Sequence, residues 1–247
     1  MPRTDVTITT GDGDCNASLH TPSQDGSWPA VIIYHDAGGV RETFHAMAER
    51  LAGLGYAVLV PDVYYRAGGF APFDIATVFS DPDERARLMT LAGGVTTEMV
   101  VSDAGAFLGF LADRPEVSGT AVGTTGYCMG GRISLIVAGH HPDRVAAAAS
   151  FHGGRLAAAD DPDSPYLLAD RIRAAVHVAG AENDNSFPAE QYERLEKALT
   201  TAGVRHIMET YPAAHGFAVP DNPTYDADAD RRHWAALTDL YGANLNH

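Results

Sequence analysis

The chain has 247 residues, 45% of them hydrophobic, enough to bury one large α/β domain without disulfides or metals. With 17 basic against 32 acidic residues, its net charge is -15, which argues against nucleic acid or an anionic membrane as partner. Two cysteines are too few for a disulfide framework. The N-terminus MPRTDVTITTGDGD lacks a secretory apolar core, and no apolar run approaches the roughly 20 residues that span a bilayer, so a cytoplasmic setting is expected.

Val6 to Thr9 and Ala17 to His20 alternate around GDGD, which predicts an early β-hairpin. The short apolar run AVIIY (30–34) fits a buried parallel strand. Phe44, Met47, Leu51 and Leu54 recur at three and four, one face of a helix that Gly55 ends. YAVLV (56–60) is the next buried strand, closed by Pro61. Residues 61–95, rich in Gly, Pro and Asp, predict an insertion or lid with a short helix near Asp83 to Thr90. Val100, Ala104, Phe107 and Leu111 mark a helix, and TAVGTTG (120–126) a strand. Arg132 to Gly139 suits a buried helix. VAAAASF (145–151) predicts a strand despite its alanines, because it is short and HGG follows. AAVHVAG (174–180) and Arg205 to Tyr211 are further strands; Tyr192, Leu195, Leu199 and Ala202, and then Asp228 to Tyr241, predict the last two helices. Strands alternating with helices predict a mostly parallel sheet covered on both faces, in a single domain spanning residues 1–247.

GTTGYCMGGR (123–132) falls where a strand should turn into a helix. Glycines two before and two after Cys128 give a nucleophile elbow, G-x-nucleophile-x-G, at a turn too tight for side chains. The N–H of Met129 at the helix start is then an oxyanion donor, and the helix N-terminus favours thiolate. A buried, inert thiol in a Gly-rich turn would read the same way in isolation. A thiol nucleophile needs a base, and the base an orienting acid. α/β hydrolases place these in the order nucleophile, acid, histidine. Asp184 in AENDNSFP and His215 in PAAHGF follow predicted strands in that order, with Glu182 and Asp221 as rivals for the acid.

With these pieces in place the chain resembles, over nearly its full length, the dienelactone hydrolase family of α/β hydrolases. The matching segments are HDAGGVR (35–41), GYAVLVPDVYYR (55–66), GYCMGGR (126–132), AENDNSFP (181–188) and AHGF (214–217). The resemblance implies an α/β-hydrolase fold and a Cys-His-Asp triad of Cys128, His215 and Asp184. It also implies a carboxylate beside the thiol, here Asp36, where relatives often carry Glu, and a second oxyanion donor at the N–H of Ala37. Members acting on dienelactones bind the substrate carboxylate with two arginines. The resemblance assigns one to Arg85, with Arg87 as a rival; the other position, four residues after His215, holds Val219.

Tyr64, Tyr127, His152 and Phe217 are further candidates for substrate contact. Cys15 is expected to be inert, and Asp221, Asp226, Asp228 and Asp230 to form a solvated, helix-starting stretch rather than a metal site. His140 and His141 are adjacent, so they point apart and make a poor metal pair. The expected activity is hydrolysis of an ester or lactone through a thioester, without cofactor or metal, by a monomer or small homo-oligomer. The alternatives are a cysteine-dependent amidotransferase, whose acid would follow the histidine closely, and a non-hydrolytic ligand-binding or redox-sensing protein.

Overall fold

The computed structural model describes residues 1–245. Eight strands form one sheet: β1 (Arg3–Thr10), β2 (Gly13–His20), β3 (Trp28–Tyr34), β4 (Ala57–Pro61), β5 (Val117–Tyr127), β6 (Val145–Phe151), β7 (Ala175–Ala181) and β8 (His206–Tyr211). Their order is β1-β2-β4-β3-β5-β6-β7-β8. The β1–β2 hairpin is antiparallel and pairs antiparallel to β4. From β4 to β8 every neighbouring pair is parallel. This is the α/β-hydrolase fold.

Six helices cover the sheet: α1 (Glu42–Gly53), α2 (Pro82–Gly93), α3 (Thr97–Ala112), α4 (Met129–His140), α5 (Ala189–Thr201) and α6 (Ala227–Asn244). Alternation along each strand sorts the two faces. Val31 and Ile33 of β3 join Phe44, Leu51, Trp234 and Leu237 of α1 and α6. Ala30, Ile32 and Tyr34 face Phe107, Ile133 and Leu195 of α3, α4 and α5. Leu54, expected on the α1 face, is instead its C-cap and 44% exposed. Ala202 likewise caps α5.

The alanines of β6 form a strand because helices press on both sides of it: Ala147 and Ala149 join the α1/α6 core, and Ala148 the α3/α4/α5 core. Burial between two layers overrides the helix propensity of alanine. Small residues also admit close approach: a Cβ on Gly123 of β5 would lie 2.7 Å from the Tyr241 ring. Residues 62–96 leave the sheet and carry α2 over a small apolar cluster of Phe73, Ile75, Val78 and Leu88. Asp81 caps α2 by accepting the N–H groups of Asp83 and Glu84.

Candidate active site

Parallel strands β3, β5, β6, β7 and β8 end at one sheet edge, where open α/β sheets place their sites. The residues following them are Asp36, Cys128, His152, Asp184 and His215. Cys128 is the N-cap of α4, with φ 54° and ψ −115°. A non-glycine residue held there stores about 1–3 kcal/mol of backbone strain. The glycines around it are obligatory. A Cβ on Gly126 would lie 1.8 Å from the Gly130 carbonyl oxygen, and one on Gly130 would lie 2.1 Å from that of Tyr34. The turn therefore lifts Cys128, half-buried, out of the sheet edge.

His215 Nδ1 donates to Asp184 Oδ2 at 2.7 Å, and both His215 and Cys128 line the same cleft. Burial disfavours the charged imidazole, but the bond to Asp184 and the neighbouring Cys128 sulfur outweigh it and push the pKa of His215 up to about 10. Burial works against ionised Asp184 as well; the bonds from His215 and Ser186 prevail and hold the carboxyl below its usual range. Ser186 donates to Asp184 Oδ1 twice, from Oγ at 2.6 Å and from its N–H at 2.8 Å. Neither rival acid is placed this way: Asp221 pairs with Arg41, and the hydrogen-bonded acid on His215 is Asp184.

His152 is fully buried, with φ 39°. Its Nδ1 accepts the Cys128 N–H at 3.1 Å, a donor shared with the Phe151 carbonyl at 3.1 Å. Its ring meets the His215 ring edge-on, centroids 5.1 Å apart. Burial, reinforced by the neighbouring His215 and His233, drives its pKa well below the ordinary histidine value and keeps it neutral. With Nδ1 accepting, the proton resides on Nε2, which has no hydrogen-bond partner among the described residues.

Asp36 does not hydrogen-bond the thiol. Its carboxylate receives both Arg41 amino groups, at 2.7 and 2.9 Å, and the Gly38 N–H at 2.8 Å. Arg41 continues to Asp221 at 2.7 and 2.9 Å. Asp221 is thus an ion-pair partner rather than part of a solvated stretch. Asp230 is buried too, accepting from Tyr225 and His233, whereas Asp226 caps α6 as the helix-starting reading implies. Tyr64 is buried, and its hydroxyl donates to the Ala37 carbonyl at 3.0 Å, fixing the turn that carries the Ala37 N–H. The N–H groups of Ala37 and Met129 have no acceptor among the described residues, the latter because it opens a helix.

A cleft of about 310 Å³ opens over Cys128, His152 and His215, walled by Ile75, Phe79 and Leu88 from the 62–96 segment. Four expected substrate contacts lie elsewhere, Tyr64 among them, buried against the Ala37 turn. Tyr127 is fully buried under the elbow, because alternation along β5 turns it to the α6 face, and its hydroxyl bonds His233 Nε2 at 2.8 Å. Phe217 is fully buried behind His152, ring centroids 5.0 Å apart. Arg85 is exposed on α2 and does not line the cleft, because the helix turns Leu88 inward instead. Its rival Arg87 pairs with Glu84 and lies over the Phe73 ring. Val219 is buried in the core. Ser186 and Arg41 were not foreseen as site residues; the Asp184–Ser186 turn, an Asx turn, is the local signal that could have found Ser186.

Cys15 is buried, and burial together with Asp62 and Asp103 pushes its thiol up to about 12, so it stays protonated. Among the described residues no group of three or more His, Cys, Asp or Glu could hold a metal ion, and no single helix is long and apolar enough to cross a membrane.

Comparison with known proteins gives one consistent picture. Residues 15–245 match the dienelactone hydrolase family. An Escherichia coli K12 protein provisionally named carboxymethylenebutenolidase is 30% identical over 238 residues, 93% of this chain and 83% of that protein. The structure of a dienelactone hydrolase-like promiscuous phosphotriesterase from metagenomic libraries superposes with a TM-score of 0.80 at 26% identity, covering 99% of both chains. A Klebsiella pneumoniae protein provisionally described as a dienelactone hydrolase shares the fold with a TM-score of 0.85 at 24% identity, covering 98% of both.

Proposed function

Because the chain belongs to the dienelactone hydrolase family, we propose that it hydrolyses a carboxylic ester or lactone through attack by the Cys128 sulfur. The observation that carries this reading is the placing of His215, bonded to Asp184 Oδ2 at 2.7 Å and sharing one cleft with Cys128 on its strained elbow.

His215 takes the Cys128 proton, and the sulfur forms a bond to the carbonyl carbon. The carbonyl electron pair moves to oxygen, where the N–H groups of Ala37 and Met129 receive it; each such donor is typically worth about 3 kcal/mol. Collapse breaks the C–O bond. The departing alkoxide takes its proton from the His215 imidazolium, which returns to the neutral base. In a lactone the alcohol stays attached and the ring opens. A water then gives its proton to His215 and attacks the thioester, and the thiolate leaves and is reprotonated. Asp184 keeps the imidazole oriented throughout. Asp36, charge-paired with Arg41, shapes the Ala37 turn rather than holding the thiol. The 62–96 segment acts as the lid of the site.

The test is p-nitrophenyl acetate hydrolysis by the wild type, Cys128→Ala and His215→Ala. Both substitutions should cost about a thousandfold or more in kcat. With wild-type enzyme quenched early, intact-mass measurement should show an acetyl group on Cys128. Activity surviving both substitutions would remove the mechanism.

A further inference from the structure

The walls of the cleft carry a consequence for the substrate. Ile75, Phe79 and Leu88 line it, together with the backbone of Ala37 and Gly216, and no lysine or arginine does so among the described residues. Arg41, whose guanidinium pairs with the cleft residue Asp36, is used up by the carboxylates of Asp36 and Asp221. Arg85 is exposed and Arg87 is paired to Glu84. Val219, four residues after His215, is buried among core residues and brings no charge to the cleft.

His215, an imidazole lining the cleft, already faces Asp184. His152 stays neutral, and the Asp36 carboxylate lies in the cleft wall. An anionic group entering here loses its hydration, finds no free counter-ion and meets a carboxylate. A volume of about 310 Å³ holds roughly ten water- or methylene-sized groups. Asn222 and Thr224 supply neutral polar groups at the rim.

We propose that the cleft takes a small, uncharged ester or lactone with an apolar carbon skeleton, and rejects the carboxylate-bearing lactones its relatives are named for. This rests on the hydrolase reading above. It differs from the sequence expectation, in which Arg85 would bind a carboxylate.

The experiment compares two isosteric substrates, an enol lactone carrying a side-chain carboxylate and the same lactone carrying the primary carboxamide. The carboxamide should have the higher kcat/KM by about tenfold or more. Phe79→Arg, at a rim position 57% exposed and so tolerant of charge, should narrow or reverse the ratio. Arg85→Ala should leave the ratio unchanged. A carboxylate substrate equal to or better than the carboxamide, or a selective loss on it in Arg85→Ala, would overturn the proposal. A second measurement needs no turnover: alkylation of Cys128 by iodoacetamide against iodoacetate, referenced to free cysteine. Iodoacetamide should be favoured by about a further tenfold, and equal relative rates would also overturn the proposal. If neither lactone is cleaved while the alkylation preference holds, the hydrolase reading fails and the cleft's preference for neutral ligands stands.

Discussion

The imidazole of His152 accepts the backbone N–H of Cys128 at 3.1 Å, so a residue on the neighbouring strand end braces the strained turn beneath the sulfur. That contact requires Nδ1 to be unprotonated, and burial keeps it so. His152→Phe removes the acceptor and leaves the N–H its bond to the Phe151 carbonyl. We expect kcat to fall about tenfold with KM nearly unchanged, the loss equivalent to one weakened hydrogen bond. His152→Gln, which restores an acceptor oxygen, should recover part of the loss. Steady-state kinetics on a neutral ester decide it; an unchanged kcat in the Phe variant would show that the brace is dispensable.

Ser186 supplies two of the hydrogen bonds on Asp184 Oδ1, from its hydroxyl and its N–H. Ser186→Ala deletes the first, together with a longer hydroxyl contact to His215 Nδ1 at 3.4 Å. The expected loss in kcat is several-fold, about 1 kcal/mol of orientation. Asp184→Asn should cost roughly a hundredfold or more, because it alters the tautomer and orientation of His215. Rates for the two variants, compared at one pH, rank the contributions. A Ser186→Ala loss matching that of Asp184→Asn would mean that the serine has a role of its own.

Most of this site was readable in advance because its signals are local or ordinal. The elbow needs glycines at fixed offsets, and the steric reason, a Gly130 oxygen 1.8 Å from any Cβ at position 126, acts within five residues. The order Cys128, Asp184, His215 points to the strand ends that bring these three residues to one edge. What stayed hidden depends on the direction in which side chains point. Tyr127 adjoins Cys128 in sequence, yet strand alternation sends it into the opposite layer. Arg85 and Leu88 share one helix, and only its docking decides which of them meets the cleft. The pairing of Arg41 with Asp221 spans 180 residues and has no local signature.

Acid should destabilise the protein from an unusually high pH. Burial lowers the pKa values of His35, His152, His177 and His233, and brings that of His20 down to about 4. Each such imidazole is neutral when folded and protonates near pH 6.5 when unfolded. Stability is therefore complete above about pH 6.5 and declines below it, by about 1.4 kcal/mol per pH unit for each depressed group, until the folded pKa is reached. His215 acts with the opposite sign. Its elevated pKa adds stability that is full below about 6.5 and is lost as pH climbs to about 10. Denaturant titrations from pH 4 to 10, on wild type and His215→Gln, should show a steep acid limb in both and a gap between them that closes toward pH 10. A flat profile between pH 6.5 and 4.5 would contradict the neutral assignment of the buried histidines.

Tyr127→Phe separates architecture from catalysis. The Tyr127 hydroxyl satisfies His233 Nε2, whose other nitrogen bonds Asp230 at 3.1 Å. Removing the hydroxyl strands a buried acceptor and should cost about 1–3 kcal/mol of stability. KM should not move, because the ring does not reach the cleft. Thermal unfolding with parallel kinetics checks both; a raised KM would return Tyr127 to the substrate-binding surface.

Arg41 grips a carboxylate on the turn that presents the Ala37 amide and another on the segment that follows His215. Two pieces of machinery drawn from distant parts of the chain are therefore coupled like parts on one axle. We expect motion of the turn at Ala37 to be coupled through Arg41 to that of the segment after His215. Amide relaxation dispersion should accordingly report a common exchange rate at positions 37 and 216, splitting into two rates once Arg41 is replaced by methionine.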